Sequence, residues 1–240
     1  ITMSKHCRIL ALILSLTTLF CALPALGDGL PEAFSVTYKT EDRFVNHKRG
    51  FVSKEHIAAT NPAVASEINA LVDAYDEQYA PALKGSDNPK RNSRLDIHVV
   101  HSVTGTKWVS FLVLARQSYA RKQLSSPFTA RAYDMDTGRQ LVLTDVVQDT
   151  PEAWDILSAA VREQLSAYFP NEEANVDTLN RLCSREGLLA TPFMLTPAAL
   201  TLHYEASALY PGHPTLMRVT VYYSALASML TDEAHVQTDN

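Results

Sequence analysis

Apolar and polar residues alternate along Phe34-Ser35-Val36-Thr37-Tyr38, the period of a half-buried strand. The charged stretch from Lys39 to Lys54 has no clear period. At Asn61-Pro62 the pattern changes. Val64, Ile68, Leu71, Val72, Tyr75 and Tyr79 recur at three- and four-residue steps. This predicts an amphipathic helix capped by Asn61, with Pro62 in its first turn, ending near Pro81. Lys84 to Ser93 reads as a polar loop. Strand alternation returns at Leu95, Ile97 and Val99, and Gly105 marks a turn before the strongly apolar run Trp108 to Ala115. Phe128 to Met135 continues the sheet. Asp134-Met135-Asp136-Thr137-Gly138 carries turn chemistry, with short carboxylates that fold back on the backbone and a glycine free to adopt positive φ. Leu141, Leu143 and Asp145-Val146-Val147 predict one more strand, so Val109 to Val147 reads as an antiparallel meander.

A second helix is expected to start at Thr150-Pro151-Glu152, with Trp154, Leu157, Val161, Leu165 and Tyr168 on its apolar face, and to stop at Phe169-Pro170. A short third helix should run from Val176 to Arg185 and close at Gly187. Strands are expected at Phe193–Leu195, Leu200–Tyr204 and Met217–Tyr223, with a rigid loop at Tyr210-Pro211-Gly212-His213-Pro214. Leu226, Met229 and Leu230 fit a short helix, and residues 231–240 read as a polar, frayed tail. The fold class implied is α+β: an antiparallel β-sheet with two to three helices packed mainly on one face.

The N-terminal segment changes where such a domain would work. Met3 is read as the start, Lys5, His6 and Arg8 as a basic region, and Ile9 to Phe20 as an apolar or hydroxylic run. Ala25-Leu26-Gly27 places small residues at positions −3 and −1 of a cut before Asp28. This is the tripartite pattern of a secretory signal. The apolar run is too short for the roughly 20 residues of a spanning helix. The expectation is therefore a signal peptide at 1–27, one domain at 28–230, and a periplasmic or extracellular product. The alternative is a membrane tether through an uncleaved signal. Lipidation at Cys21 is disfavoured because bulky Phe20 precedes it.

Charge and cysteine content narrow the classes further. The chain has a formal net charge of −5, with 21 basic and 26 acidic residues. Loss of Lys5 and Arg8 makes the remainder more acidic, and no basic run with interleaved aromatics argues for nucleic acid. Of the 3 cysteines, Cys7 and Cys21 lie in the signal. Cys183, at helical spacing from Leu179, reads as a buried residue. No intramolecular disulfide or cysteine-based zinc site is then available.

Several segments together resemble the exported domain shared by the peptidoglycan deacetylase PdaC and the anti-sigma factor RsiV. They begin with Ser110-Phe111 and Gly138-Arg139-Gln140-Leu141-Val142-Leu143-Thr144-Asp145-Val146. The helix carrying Trp154 and Leu157 follows, then Phe193-Met194-Leu195-Thr196, Leu200 to Tyr204, Tyr210-Pro211-Gly212 and Val219 to Leu226. The resemblance spans Phe34 to Leu230. It implies structural roles for Gly138, Leu141, Leu143, Asp145, Phe193, Tyr204, Gly212 and Tyr223. The chain departs from the family after the long strand: Tyr119 to Pro127 stands where members often carry a Gly-Ala-His-like turn. The paired aspartates and histidine motif of the deacetylase are missing, and the segment before the apolar run is too short to hold a sigma factor. The resemblance implies an extracytoplasmic recognition module.

The candidate chemistry agrees with a binding role. There is no Gly-x-Ser-x-Gly elbow and no glycine-rich phosphate loop. His98 and His101, three residues apart in a strand, point to opposite faces and make a poor metal pair. Asp134 and Asp136 read as turn residues, Asp145 as a turn brace and His203 as a half-exposed strand residue. No catalytic residue, metal or cofactor is expected. Arg116, Arg121 and Lys122 flank Tyr119 and would suit an anionic glycan or an acidic protein surface. The candidate binding residues are Tyr119, Arg121, Lys122, Tyr210 and His213, on the Tyr119–Pro127 and Tyr210–Pro214 loops. The favoured function is a non-catalytic envelope module that recognises cell-wall glycan or an envelope or secreted protein. Alternatives are an inhibitor or sensor of a wall-degrading enzyme such as lysozyme, and a secreted hydrolase without a recognisable motif. Nucleic acid is not an expected partner, and membrane contact is expected only if the signal stays uncleaved.

Overall fold

The computed structural model describes residues 35–45, 50–83, 93–120 and 122–238. The expected export signal and nearly all of the loop expected after Lys84 lie outside the described residues. The chain forms an α+β fold with two sheets. The first contains β1 (Val36–Val45), β2 (Gly50–Ala59), β3 (Ser93–Thr104), β4 (Trp108–Tyr119), β6 (Phe128–Asp134) and β7 (Gln140–Leu141), in the order β1-β2-β3-β4-β6-β7, with β5 (Lys122–Ser125) folded back on β4. The second has the order β10 (Leu216–Tyr222), β9 (Ala199–Glu205), β8 (Phe193–Leu195). All pairs are antiparallel except β2–β3, which run parallel from Phe51↔Arg94 to Lys54↔Ile97.

The stretch without a readable period is a hairpin, paired from Val36↔Ala59 to Val45↔Gly50. Its alternation is hidden because one face is charged and ion-paired rather than apolar. Lys54 bridges Asp73 (2.7 Å) and Asp76 (3.3 Å) on helix α1 (Pro62–Tyr79), and Arg43 also reaches Asp76. Burial alone would raise the Asp73 carboxyl, but hydrogen bonds from Lys54 and His56 outweigh it and hold the group below its usual value. Where β2 and β3 part, side chains take over the backbone pairing. Glu55 accepts from the Val99 amide at 2.9 Å, and the Asn69 amide both donates to and accepts from Ile57, each at 2.8 Å. Asn61 caps α1 as expected, accepting from the amides of Ala63 and Val64.

β4 is the centre of the molecule. Its eight residues Trp108–Ala115 are all buried. Val109, Phe111, Val113 and Ala115 pack with Val64, Ile68 and Val72 of α1. The opposite face meets the second sheet, with Leu112 and Ala130 against Met194. Ser110 Oγ, fully buried in that junction, accepts from the Leu195 amide at 2.8 Å. Behind the second sheet, helix α3 (Pro151–Ser166) buries Trp154, Leu157, Val161 and Leu165. Thr150 caps α3, accepting from the Ala153 amide. Gln164 of α3 then closes the free edge of β10 by bonding both the amide and the carbonyl of Thr220.

Four local expectations give way. Leu143–Val146 is a turn of helix (α2), not strand, because Asp145 folds back to accept from the Val142 amide at 2.8 Å. The third helix stops at Cys183 (α4, Val176–Cys183) because Ser184 caps a new one, α5 (Arg185–Ala190). Gly187 lies inside α5 and serves close approach: a Cβ there would sit 2.1 Å from the Arg181 carbonyl oxygen. The apolar face of α3 ends at Leu165, and Tyr168 is left 39% exposed beyond the helix end. The tail forms helix α8 (Asp232–Thr238), held by buried Gln237, whose Oε1 accepts from the amides of Thr106 and Lys107. Short helices α6 (Ala206–Leu209) and α7 (Tyr223–Leu226) follow β9 and β10.

Trp154 is 8% exposed, donates its indole N–H to Asp149 at 2.8 Å and lies under Arg185. Trp154→Ala should cost about 3–5 kcal/mol in urea unfolding at neutral pH, the usual range for emptying a buried indole site. His203, expected half-exposed, is 2% exposed, with Phe128 beside its ring. Burial first, then the positive charge of Arg218, push its imidazole down to about 4, against a smaller opposing pull from the Thr201 backbone. The unfolded chain therefore takes up this proton near pH 6.5 and the folded one only near pH 4. The His203 contribution to stability should fall as pH drops through that window, at up to about 1.4 kcal/mol per unit, and stay constant below it, where the depressed carboxylates take over. His203→Leu should flatten the slope. A residue remains from His101, which burial shifts the same way. Equal slopes in the two proteins would contradict the assignment.

Candidate functional site

The two loops singled out from sequence meet in space. The Tyr119–Pro127 segment is a hairpin rather than an open loop: Tyr119 pairs with Lys122, and β5 lies along the end of β4. Ala120 in the turn takes positive φ, and Arg121 lies outside the described residues. From β5, Gln123 Nε2 donates to Ser126 Oγ (2.7 Å) and to the Pro214 carbonyl of the second loop. This latch ties the first sheet to the strand connection leading into β10.

A hollow opens on each side of the latch, and Ser126 and Thr215 line both. One, of about 300 Å³, is bordered by Leu114, Arg116, Gln123, Tyr168, Leu216 and Arg218. The other, of about 210 Å³, is bordered by Tyr79, Leu124, Pro127, Glu205, Ser207 and Pro214. The first is basic. Arg116 on β4 and Arg218 on β10 are both exposed, and neither has an ion-pair or hydrogen-bond partner among the described residues. The reason is legible in the register. The carboxylate opposite Arg116 is Asp96, but Arg94 Nε already holds both its oxygens at 2.6 and 2.7 Å. The residue opposite Arg218 is His203, which is neutral above pH 4. Two larger hollows carry paired charges: Arg185 with Asp149 beside Trp154, and Asp73 with Lys54 along α1.

The other candidates are held in place by the fold. Tyr210 is fully buried and donates its phenol to the Leu165 carbonyl at 2.6 Å, so it serves as a core pillar and not as a surface contact. The His213 ring lies 4.1 Å from Phe169, with Nε2 2.9 Å from Glu172. Tyr119 and Lys122 stand at the hairpin tip and do not line the basic hollow. The motif residues take structural places. Leu141, Leu143, Phe193, Tyr204 and Tyr223 are buried, Gly138 and Gly212 have positive φ, and Asp145 braces its turn and pairs with Arg139. Asp134 accepts from the Asp136 and Thr137 amides and pairs with Lys107, as turn chemistry requires.

The nucleophiles and bases are scattered. Cys183 is buried and its thiol is pushed up by burial. His98 contacts Glu55, His101 the Tyr38 phenol, and His56 Asp73. Among the described residues, no three His, Cys, Asp or Glu side chains gather where they could hold a metal.

Of the residues lining this hollow, sequence points to Arg116 as a binding residue and not to Arg218, Gln123 or Tyr168. Arg218 sits at a polar position of the alternation Met217, Val219, Val221, so its exposure was readable. Its proximity to a residue of another sheet was not.

Comparison with known proteins places the fold. No protein-family model and no curated protein matches the sequence. Among the described residues, no helix is long and apolar enough to cross a membrane. Solved structures with a similar fold include the following two. A DUF3298 family protein from Pseudomonas aeruginosa PAO1 superposes with a TM-score of 0.59 at 16% identity, covering 86% of this chain and 98% of its own. A DUF3298 family member from Bacteroides fragilis NCTC 9343 gives 0.53 at 12% identity, covering 85% and 96%. The chain thus has the fold of structures assigned to the DUF3298 family, the PdaC/RsiV-like domain family that the sequence motifs resemble.

Proposed function

We propose that the domain is a non-catalytic, extracytoplasmic binding or sensing module of the bacterial cell envelope, and that it holds cell-wall glycan in the groove between the β5 hairpin and the start of β10. The observation that carries this reading is the convergence of the two sequence-named loops on one groove with two uncompensated arginines in its wall. Arginine and aromatic side chains dominate binding hot spots, and Tyr168 and Tyr79 border the two hollows. The scattered histidines and the raised thiol of Cys183 favour recognition over turnover. A basic protein partner would meet like charge here, which favours the glycan over a cationic wall-degrading enzyme.

Co-sedimentation with purified peptidoglycan tests this. The mature domain should pellet with the polymer. Thr215→Trp, which places an indole at an exposed position common to both hollows, should cut binding at least tenfold with an unchanged melting temperature. No pelleting by the wild type, or full pelleting by the variant, would remove the groove as a glycan site. Turnover of the polymer would overturn the non-catalytic reading.

A further inference from the structure

We propose that the basic hollow is an anion clamp, in which Arg116 and Arg218 together grip one carboxylate or phosphate group of an extended polymer. This rests on the groove reading above and adds the chemistry of the ligand. Three observations and the chemistry of the guanidinium group carry it. The two guanidiniums come from different sheets yet border one hollow of about 300 Å³, a space that a single charged group and its neighbouring sugar can span. Both lack partners among the described residues, and the carboxylate across from Arg116 is taken by Arg94. A planar guanidinium offers a fork of donors that matches carboxylate or phosphate, and two forks on one anion make a charge-assisted site. Finally, the polar groups at the rim are already committed. Gln123 Nε2 donates to Ser126 and Pro214, and Tyr168 Oη donates to the Leu216 carbonyl at 3.5 Å. The arginines are left as the unpaired cationic donors of this lining.

The surroundings fix the orientation. The nearest carboxylate on the same face of the second sheet is Glu205, opposite Leu216, but it borders the other hollow with Tyr79 and Ser207. An anionic unit is therefore drawn to the arginine side of the latch. The neighbouring units pass over Thr215 and Ser126 toward Tyr79, Pro127 and Pro214, where rings and pyrrolidines suit a sugar face. The chain as a whole is acidic, with a formal net charge of −5, so attraction of a polyanion is local to this groove.

Titration calorimetry of the mature domain with a short oligogalacturonate, its methyl ester and poly(glycerol phosphate), at low and at 0.5 M salt, tests the clamp. The wild type should bind one or both charged polymers. The better one identifies the anion as carboxylate or phosphate. The neutral ester should not bind, and high salt should weaken the charged polymers at least tenfold. Arg116→Gln and Arg218→Gln should each weaken binding at least tenfold, while Arg116→Lys should retain part of it. Binding of neither charged polymer, equal binding of the ester, or wild-type affinity in both glutamine variants would overturn the clamp. The two readings fail separately. Arginine variants that pellet with peptidoglycan as wild type does, while Thr215→Trp does not, leave the groove and discard the clamp. Arginine-dependent polyanion binding without peptidoglycan binding keeps the clamp and discards the wall-glycan reading.

Discussion

Everything in this fold depends on one strand that must be covered on both faces. Trp108 to Ala115 presents eight consecutive buried residues, so neither side of β4 can be left to water. At roughly 1.5–3 kcal/mol for each large apolar side chain, exposing either face would remove much of a domain's typical 5–15 kcal/mol of net stability. Helix α1 covers one side and the second sheet the other. Ser110 interrupts the apolar run, and its hydroxyl accepts from the Leu195 amide inside that junction. A buried amide left unpaired there would cost about 1–3 kcal/mol, so this bond also fixes how β8 sits on β4.

The groove follows from the same arrangement. Along β4 the inward-facing series Trp108, Ser110, Leu112 and Leu114 ends at Arg116, where the second sheet no longer covers it. On β10 the series reaches Leu216 and Arg218 at the corresponding place. The two sheets part where their facing residues change from apolar to cationic, and the Gln123 latch bridges the gap. Two arginines line this hollow with no carboxylate partner among the described residues. A fold that keeps them together, with Asp96 diverted to Arg94, has a place for an anion.

Much of this was legible in the sequence where a single element determines it. The period of Val64, Ile68 and Val72 predicts α1, and Asn61 and Thr150 predict its start and that of α3. The apolar run of β4, interrupted only by Ser110, is the pattern of a strand buried on both faces. What was not legible came from distant partners. The β1–β2 hairpin hides its period because its polar residues pair with Asp73 and Asp76 of α1. The C-terminal helix reads as a polar tail because its anchor is a buried amide, Gln237, bonded to a turn over a hundred residues away. The candidate site divides the same way. Sequence named both loops and Arg116, but it took Tyr210 for a contact although its phenol is spent on Leu165. Arg218, 102 positions beyond Arg116, enters only through the packing of one sheet on another.

A ligand seated where the two sheets part would perturb the backbone on both sides of the gap. Backbone amide shifts of the ¹⁵N-labelled domain, followed while soluble peptidoglycan fragments are added, test it directly. A ligand in the groove should give concentration-dependent shifts grouped at Arg116, Gln123, Ser126, Thr215 and Arg218, with α1 and the Trp154 region unmoved. Shifts grouped instead around Trp154 and Arg185, or along β1, with the groove silent, would contradict it.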